Sequence, residues 1–465
     1  MKKHLLIDLL QHFERKEFRK FCDFVQSPFY NGREDLKILA DYLYTCFWET
    51  HVLPDKVQIF KKLYGKIPYD DQKVRMAMSL LYRLAQRYLA NSEWQLEALP
   101  EKVMLMRALR RRNLAHHFEH TLKGLAEGVG SPQQSADYQI NSAALLSEIY
   151  HHNVVKERIG EMNLQAISDH IDRGFYIMKL RIACLALSHQ AVYKADYDLG
   201  LLPEILTDIN QKNRTTHPAV AAYYHCYLML RYPEIPQHFQ HFLLILFEEE
   251  EKFREDEIHD FYLMAINFCT QSYNKGNDAY LPDLLGLYRR GLEKGVLANG
   301  KHFSRFVYRN IVTLGLILKE YDWTEQFIVR YKDWIETAFR DSMYSFCMAR
   351  LAYSRGDYDT SLLLLQKSEY EDLLLNLSAK TVLLKIFYEL REYDSLEAHL
   401  NAMEKFLIRK KQMGYHRDNY LNIIRFTRKV LEATDKESLR RLQQEVEQTK
   451  NVAERQWLMT QLEAR

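Results

Sequence analysis

Apolar residues recur along this chain in steps of three and four almost throughout. In KVRMAMSLLYRLAQRYLANSEWQLEAL they fall at Val74, Met78, Leu81, Leu84, Ala85, Tyr88, Leu89 and Leu96, which marks one face of a helix. ERKEFRKFCDFVQSPFYNGRED reads as a short amphipathic helix with Phe18, Phe21, Phe24 and Val25 on one side. It stops at Ser27-Pro28, because the residue before a proline is pushed out of helical geometry. No stretch sustains period-two alternation with β-branched enrichment, so no sheet is expected. The pattern predicts an all-α protein.

Breaker residues divide this pattern. EGVGSPQQSADY, Glu127 to Tyr138, is the densest cluster and predicts a boundary. A helical N-terminal region then covers 1–130 and a series of helix hairpins 131–465. Lesser breaks at KNRTTHP, YPEIPQ and NKGNDAYLPD leave pieces of hairpin size. Composition agrees: 16 glycines and 10 prolines in 465 residues allow few turns. The 31 tyrosines suit half-buried contacts between stacked helices.

One hairpin is especially legible. SRGDYDTSLLLLQKSEYED, Ser354 to Asp372, holds Tyr358, which lies 35 residues after Trp323 and 35 before Tyr393. The three contexts, EYDWTEQFI, RGDYDTSLL and LREYDSLEA, each set an acid beside an aromatic ring. At the same spacing Leu316, Leu351 and Ile386 are apolar, as are Leu318, Tyr353 and Tyr388. A period near 34 residues in helix–turn–helix units marks a repeat architecture.

The unit FCMARLAYSRGDYDTSLLLLQKSEYED resembles the tetratricopeptide repeat family. Ala349, Ser361 and Ser368 are small where its helices pack tightly, Gly356 falls at the turn, and Tyr358 is the aromatic after it. The clearest repeats span 305–410. The flanking units differ, with Leu314 and Leu384 in place of Ala349, and Gln326 and Leu396 in place of Ser361. FCDFVQSPFYN also resembles a segment at the head of uncharacterised bacterial helical-repeat proteins, which implies no activity.

The family resemblance implies a right-handed superhelix of helix pairs, with an inner groove lined by the first helix of each. It would put Phe346, Arg350 and Tyr353 on that face. Moving 35 residues on gives Thr381, Lys385 and Tyr388; moving 35 back gives Ile311, Gly315 and Leu318, with Lys319 beside them. Paired cations can hold a carboxylate, and Arg350 can do so bidentately. The expectation is a non-catalytic scaffold or adaptor binding an unknown protein or peptide with an acidic or C-terminal segment. The competing reading pairs Arg350 and Lys385 with the chain's own acids, such as Glu389.

Other chemistry adds little. A net charge of +2, from 64 basic and 62 acidic residues, gives no general attraction for nucleic acid or anionic membrane. The cluster Arg107, Arg110, Arg111 and Arg112 supports the alternative of a nucleic-acid-associated or ligand-sensing regulator. Nucleic acid is disfavoured, since no reader motif accompanies it. His116 and His120 lie four apart but lack a third ligand, and read as a polar helix face. The Arg-Gly-Asp triplet at 355–357 reads as a hairpin corner. No phosphate-binding, nucleophile-elbow or zinc-protease motif occurs. No catalytic residue, metal or cofactor is therefore expected. The six dispersed cysteines read as buried thiols in a reducing compartment. The longest apolar runs, such as HFLLILF, fall far short of the roughly 18 residues that span a bilayer. The N-terminal MKKHLLIDLLQHFERKEF reads as a helix, not a signal peptide. A cytoplasmic location is expected.

Overall fold

The computed structural model describes residues 4–128, 135–156, 162–191, 193, 195–297, 304–366, 372–409, 415–433 and 435–464. It is 81% helical, with 23 α-helices and no strand among the described residues. None of those helices is long and apolar enough to cross a membrane. The six cysteines are free and buried.

In chain order the helices begin α1 (Leu5–Gln11), α2 (Arg15–Gln26), α3 (Glu34–Trp48), α4 (Lys56–Tyr64) and α5 (Asp71–Leu96). Next come α6 (Ala98–Arg111), α7 (Ala115–Gly128), α8 (Ala136–Lys156), α9 (Leu164–Gln190) and α10 (Leu202–Gln211). Then follow α11 (Pro218–Arg231), α12 (Pro236–Glu249), α13 (Glu255–Asn274) and α14 (Leu281–Glu293). The remainder are α15 (Arg305–Ile317), α16 (Tyr321–Arg330), α17 (Arg340–Ser354), α18 (Tyr358–Gln366) and α19 (Leu373–Glu389), then α20 (Tyr393–Arg409), α21 (Tyr415–Glu432), α22 (Lys436–Gln448) and α23 (Arg455–Glu463).

The chain forms two compact units. One holds residues 1–183 and 198–221, the other 184–197 and 222–465. The described ends of the breaker cluster, 127–128 and 135–138, belong to the first unit, and residues 129–134 lie outside the described residues. In the first unit α1 to α5 enclose an aromatic core. Phe13, Phe18 and Phe21 meet edge-on or tilted at 5.9–6.2 Å, and the Tyr88 ring of α5 closes on Phe13 and Phe21. The helix read over this region does end at Gln26, with Ser27 extended before Pro28.

In the second unit three consecutive corners share one construction. α17 gives way to α18 through Gly356, at φ 82°. Gly356 N–H donates to the Tyr353 carbonyl at 3.0 Å and Asp357 N–H to that of Ala352 at 2.9 Å. This double bond pattern satisfies carbonyls that the helix end leaves orphaned. The same pair recurs at Lys319 (φ 58°), where Glu320 N–H reaches the Gly315 carbonyl at 2.9 Å, and at Arg391 (φ 60°), where Glu392 N–H reaches that of Phe387 at 2.9 Å. A side chain at positive φ costs about 1–2 kcal/mol, so two of the three corners carry strain that the glycine corner avoids. Asp357 also caps α18, accepting from Thr360 N–H at 3.1 Å. Arg355 pairs with Glu325 at 2.7 Å and Asp322 at 2.9 Å. The Arg-Gly-Asp triplet thus belongs to the corner.

These landmarks correct the upstream spacing. The second helices of the three pairs start at Tyr321, Tyr358 and Tyr393, so the period is 37 and then 35 residues. The residues at matching places are Glu320-Tyr321-Asp322, Asp357-Tyr358-Asp359 and Glu392-Tyr393-Asp394; Trp323 sits two positions further into its helix. Thr324, not Gln326, then takes the place of Ser361 and Leu396, and all three are fully buried. Gln326 is exposed. Ser361 Oγ donates across the pair to the Ala349 carbonyl at 2.8 Å. In the upstream pair Thr324 presses against Gly315, where an added Cβ would overlap Thr324 Oγ1.

Gly315→Ala should therefore lower stability by roughly 1–2 kcal/mol, overpacking outweighing the gain in helix propensity. Adding Thr324→Ala should recover part of the loss. Urea unfolding of the single and double variants checks this; an unchanged midpoint in the single variant would mean the corner has room.

Candidate functional site

The first helices of successive pairs pack on one another, α15 on α17 and α17 on α19. With α21 and the segment before α23 they surround a hollow of about 350 Å³ in the second unit, a volume in the range of ligand pockets. α15 contributes Arg309, Asn310 and Thr313, one turn apart on a single face. α17 contributes Phe346 and Arg350 with the same spacing, and α19 contributes Leu374, Ser378, Thr381 and Val382. Tyr420 of α21 and Ala453-Glu454 close the ring. Under the corrected spacing Arg309, Phe346 and Thr381 occupy one equivalent position, and Thr313, Arg350 and Lys385 another. The hollow is thus a product of the repeat.

Its electrostatics are unbalanced. Arg350 Nη1 donates to Thr313 Oγ1 at 2.6 Å, and its guanidinium lies 5.8 Å from the Phe346 ring centre. Among the described residues no acid lies within 4.0 Å of Arg350 or of Arg309. Burial lowers the Arg350 guanidinium from its ordinary value, against the pull of Glu454. Lys385 does have a local acid: its Nζ is 2.9 Å from Glu454 Oε2 and stands 4.7 Å over the Tyr353 ring centre. Burial works to raise the Glu454 carboxyl, but Lys385 and then Arg350 outweigh it and hold the group below the usual range. Lys385 and Arg350 therefore share one carboxylate.

Glu454 sits at φ 53°, a left-handed conformation costly for its residue type. The surrounding segment is fastened on both sides. Ala453 N–H donates to the Asn419 carbonyl at 3.2 Å, Asn422 Nδ2 to that of Asn451 at 2.7 Å, and Arg455 Nη1 to that of Glu447 at 2.7 Å.

Of the residues expected in the groove, the structure gathers Phe346, Arg350 and Thr381 on the hollow. Lys385 stands beside it, held by Glu454. Tyr353 and Tyr388 are packed instead: Tyr388 is buried with its ring 5.2 Å from that of Trp457. Tyr353 donates its hydroxyl to Glu389 at 2.5 Å. Glu389 also accepts from Tyr358 at 2.6 Å and from Trp457 Nε1 at 2.7 Å. That carboxylate is the centre of a neutral-donor cluster, not the partner of Arg350 or Lys385. Its hydrogen bond, more than burial, pushes the Tyr358 hydroxyl up to about 12.

On the upstream helix Ile311 is fully buried, Gly315 packs on Thr324, Leu318 caps α15 and Lys319 is the corner residue. The residues that do face the hollow there, Arg309 and Thr313, were hidden by the assumed even spacing. The repeated Tyr-Asp at 321, 358 and 393 is the signal that would have found them. Nothing local in the sequence points to Ser378, Tyr420 or Glu454.

The other candidate clusters are accounted for locally. Arg107 and Arg110 both grip Glu148, each Nε at 2.7 Å. Burial acts to raise the Glu148 carboxyl, and the two guanidiniums outweigh it and keep it below the usual range. Arg111 and Arg112 are exposed on the same turn. In the acidic run, Glu250 takes Arg290 at 2.8 Å and Tyr262 at 3.0 Å, and Glu257 takes Tyr223 at 2.9 Å. His116 and His120 are exposed. No group of three or more potential metal ligands occurs among the described residues. No family model matches the chain, and no curated protein or solved structure matches it significantly.

The imbalance sets an asymmetric expectation. Arg350→Met should leave the thermal midpoint unchanged or raise it, because a desolvated cation without an acid is removed. Lys385→Met should lower the midpoint modestly, a stability loss of about 0.5–1 kcal/mol, because half-exposed Glu454 loses its partner. A larger loss at Arg350 than at Lys385, read by thermal unfolding, would reverse this account.

Proposed function

We propose that this protein is a non-catalytic binding module whose second unit holds an acidic or C-terminal peptide segment in the hollow between α15, α17, α19 and α21. One observation carries the reading: Arg350 and Arg309 are gathered on the hollow with no acid within 4.0 Å among the described residues, and Glu454 on its lining is paired with Lys385. Desolvating a cation is unfavourable unless an anion accompanies it, so a ligand carboxylate would supply what the chain leaves out. A bidentate contact with Arg350 would orient it. Phe346, Leu374 and Val382 give the flanking side chain an apolar wall, and Asn310, Ser378 and Tyr420 offer polar groups to the ligand backbone.

The helix pairs, their recurring corners and the packing of first helix on first helix support a tetratricopeptide-type stack for this part of the chain. In that family the inner face of such a stack serves peptide recognition. The nucleic-acid alternative has less support, because Glu148 engages Arg107 and Arg110 and leaves only Arg111 and Arg112 of the cluster exposed.

Fluorescence anisotropy against a peptide set varying acidic side chains, with free and amidated C-termini, tests the reading. Arg350→Glu with Arg309→Glu should weaken the best ligand by roughly 2–4 kcal/mol and shift the thermal midpoint little. Loss of affinity on amidation would assign the contact to a terminal carboxylate. Unaltered affinity in the double variant, or no binding anywhere in the set, would remove the hollow as a peptide site.

A further inference from the structure

α9 has two apolar faces. Tyr176, Ile177, Leu180 and Ala183 are buried in the first unit. On the opposite side Ile171, Phe175, Met178 and Ile182 are 48%, 43%, 50% and 54% exposed. Their spacing, four, three and four, is the seam of a helix made to pack lengthwise on another helix. Leu164, one heptad before Ile171, extends the seam and is also exposed. Singly exposed apolar residues need no explanation, but a contiguous row in heptad spacing marks an interaction surface.

The flanking charges say what the partner is. Asp172 and Lys179 follow Ile171 and Met178 directly and lie along one edge of the seam. If two copies of this helix cross antiparallel, with Phe175 of each opposite Met178 of the other and Ile171 opposite Ile182, the edges coincide. Asp172 of each copy then meets Lys179 of the other, twice by symmetry. A parallel pairing would instead set Asp172 opposite Ile167 and Lys179 opposite Gly174, with no charge matched. Asp172 is only distantly engaged within its own chain, 3.8 Å from Arg214, and Lys179 has no acid partner among the described residues. The surface is therefore complementary to itself in one orientation, which is what a twofold interface requires.

We propose that the outer face of α9 is a self-association surface on which a second copy of this chain packs antiparallel. The inference is independent of the peptide reading.

Light scattering of the full chain over a dilution series tests it. The expected mass is twice 55.5 kDa, falling on dilution. Phe175→Glu with Ile182→Glu should give monomer with unchanged helical content, since both positions are exposed. Asp172→Lys should weaken association by roughly tenfold or more, through two like-charge contacts. Adding Lys179→Asp should restore it. A chain monomeric at every concentration overturns the proposal, and so does a dimer indifferent to the apolar double variant. A dimer indifferent to Asp172→Lys, or not rescued by the added Lys179→Asp, overturns the antiparallel arrangement. Purification only with a different protein on this face overturns the assignment of the partner.

Discussion

The helix corner is the constraint on which the second unit depends. A helix ends with four carbonyls unbonded, and a buried helix end must satisfy them within a few residues. Here one residue at positive φ folds its own N–H and that of the next residue back onto those carbonyls, at Lys319, Gly356 and Arg391 alike. This fixes where the following helix starts and hence which face it turns inward. Thr324, Ser361 and Leu396 are buried because the corner places them against the preceding helix. The first helices are then free to pack on one another, and their inner faces meet around the hollow.

The hollow's character follows from that geometry and from one distant residue. Arg350 and Lys385 share one repeat position, and Arg309 lies one turn before its counterpart Thr313 on the same hollow. Glu454, from the segment ahead of α23, answers Lys385 and leaves the two guanidiniums. Meanwhile Glu389, the acid nearest in sequence, is occupied by three neutral donors from α17, α18 and α23. The division of labour between these two carboxylates separates a packing cluster from a charged opening only a few residues away on α19.

Much of this was legible in the sequence. Steps of three and four, with few glycines and prolines, pointed to an all-helical chain, and the Gly356 corner was placed to the residue. The upstream register was not, because apolar spacing alone is satisfied by a 35- or a 37-residue period: Leu314 and Val312 are both buried. The repeated Tyr-Asp and the corner before it, with Lys319 in a conformation normally left to glycine, distinguish them. Of the residues read onto a groove, Phe346, Arg350 and Thr381 line the hollow, whereas Tyr353 and Tyr388 are packed against Glu389 and Trp457. Glu454 lay out of reach, since it joins Lys385 across 69 residues. The two-faced character of α9 was hidden too, for periodicity marks a face as apolar without telling whether the chain covers it.

That long separation also orders events in time. A ribosome adds about 5–20 residues per second. Several seconds therefore pass between the synthesis of Lys385 and that of Glu454. During that interval α15, α17 and α19 can pair locally, while Lys385 has no Glu454 to answer it. Glu454 reaches Lys385, and Trp457 reaches Glu389, only once residues 451–463 have been made. The carboxylate that answers Lys385 is thus among the last parts of the hollow to be made, and a nascent chain still lacking it carries one negative charge fewer there.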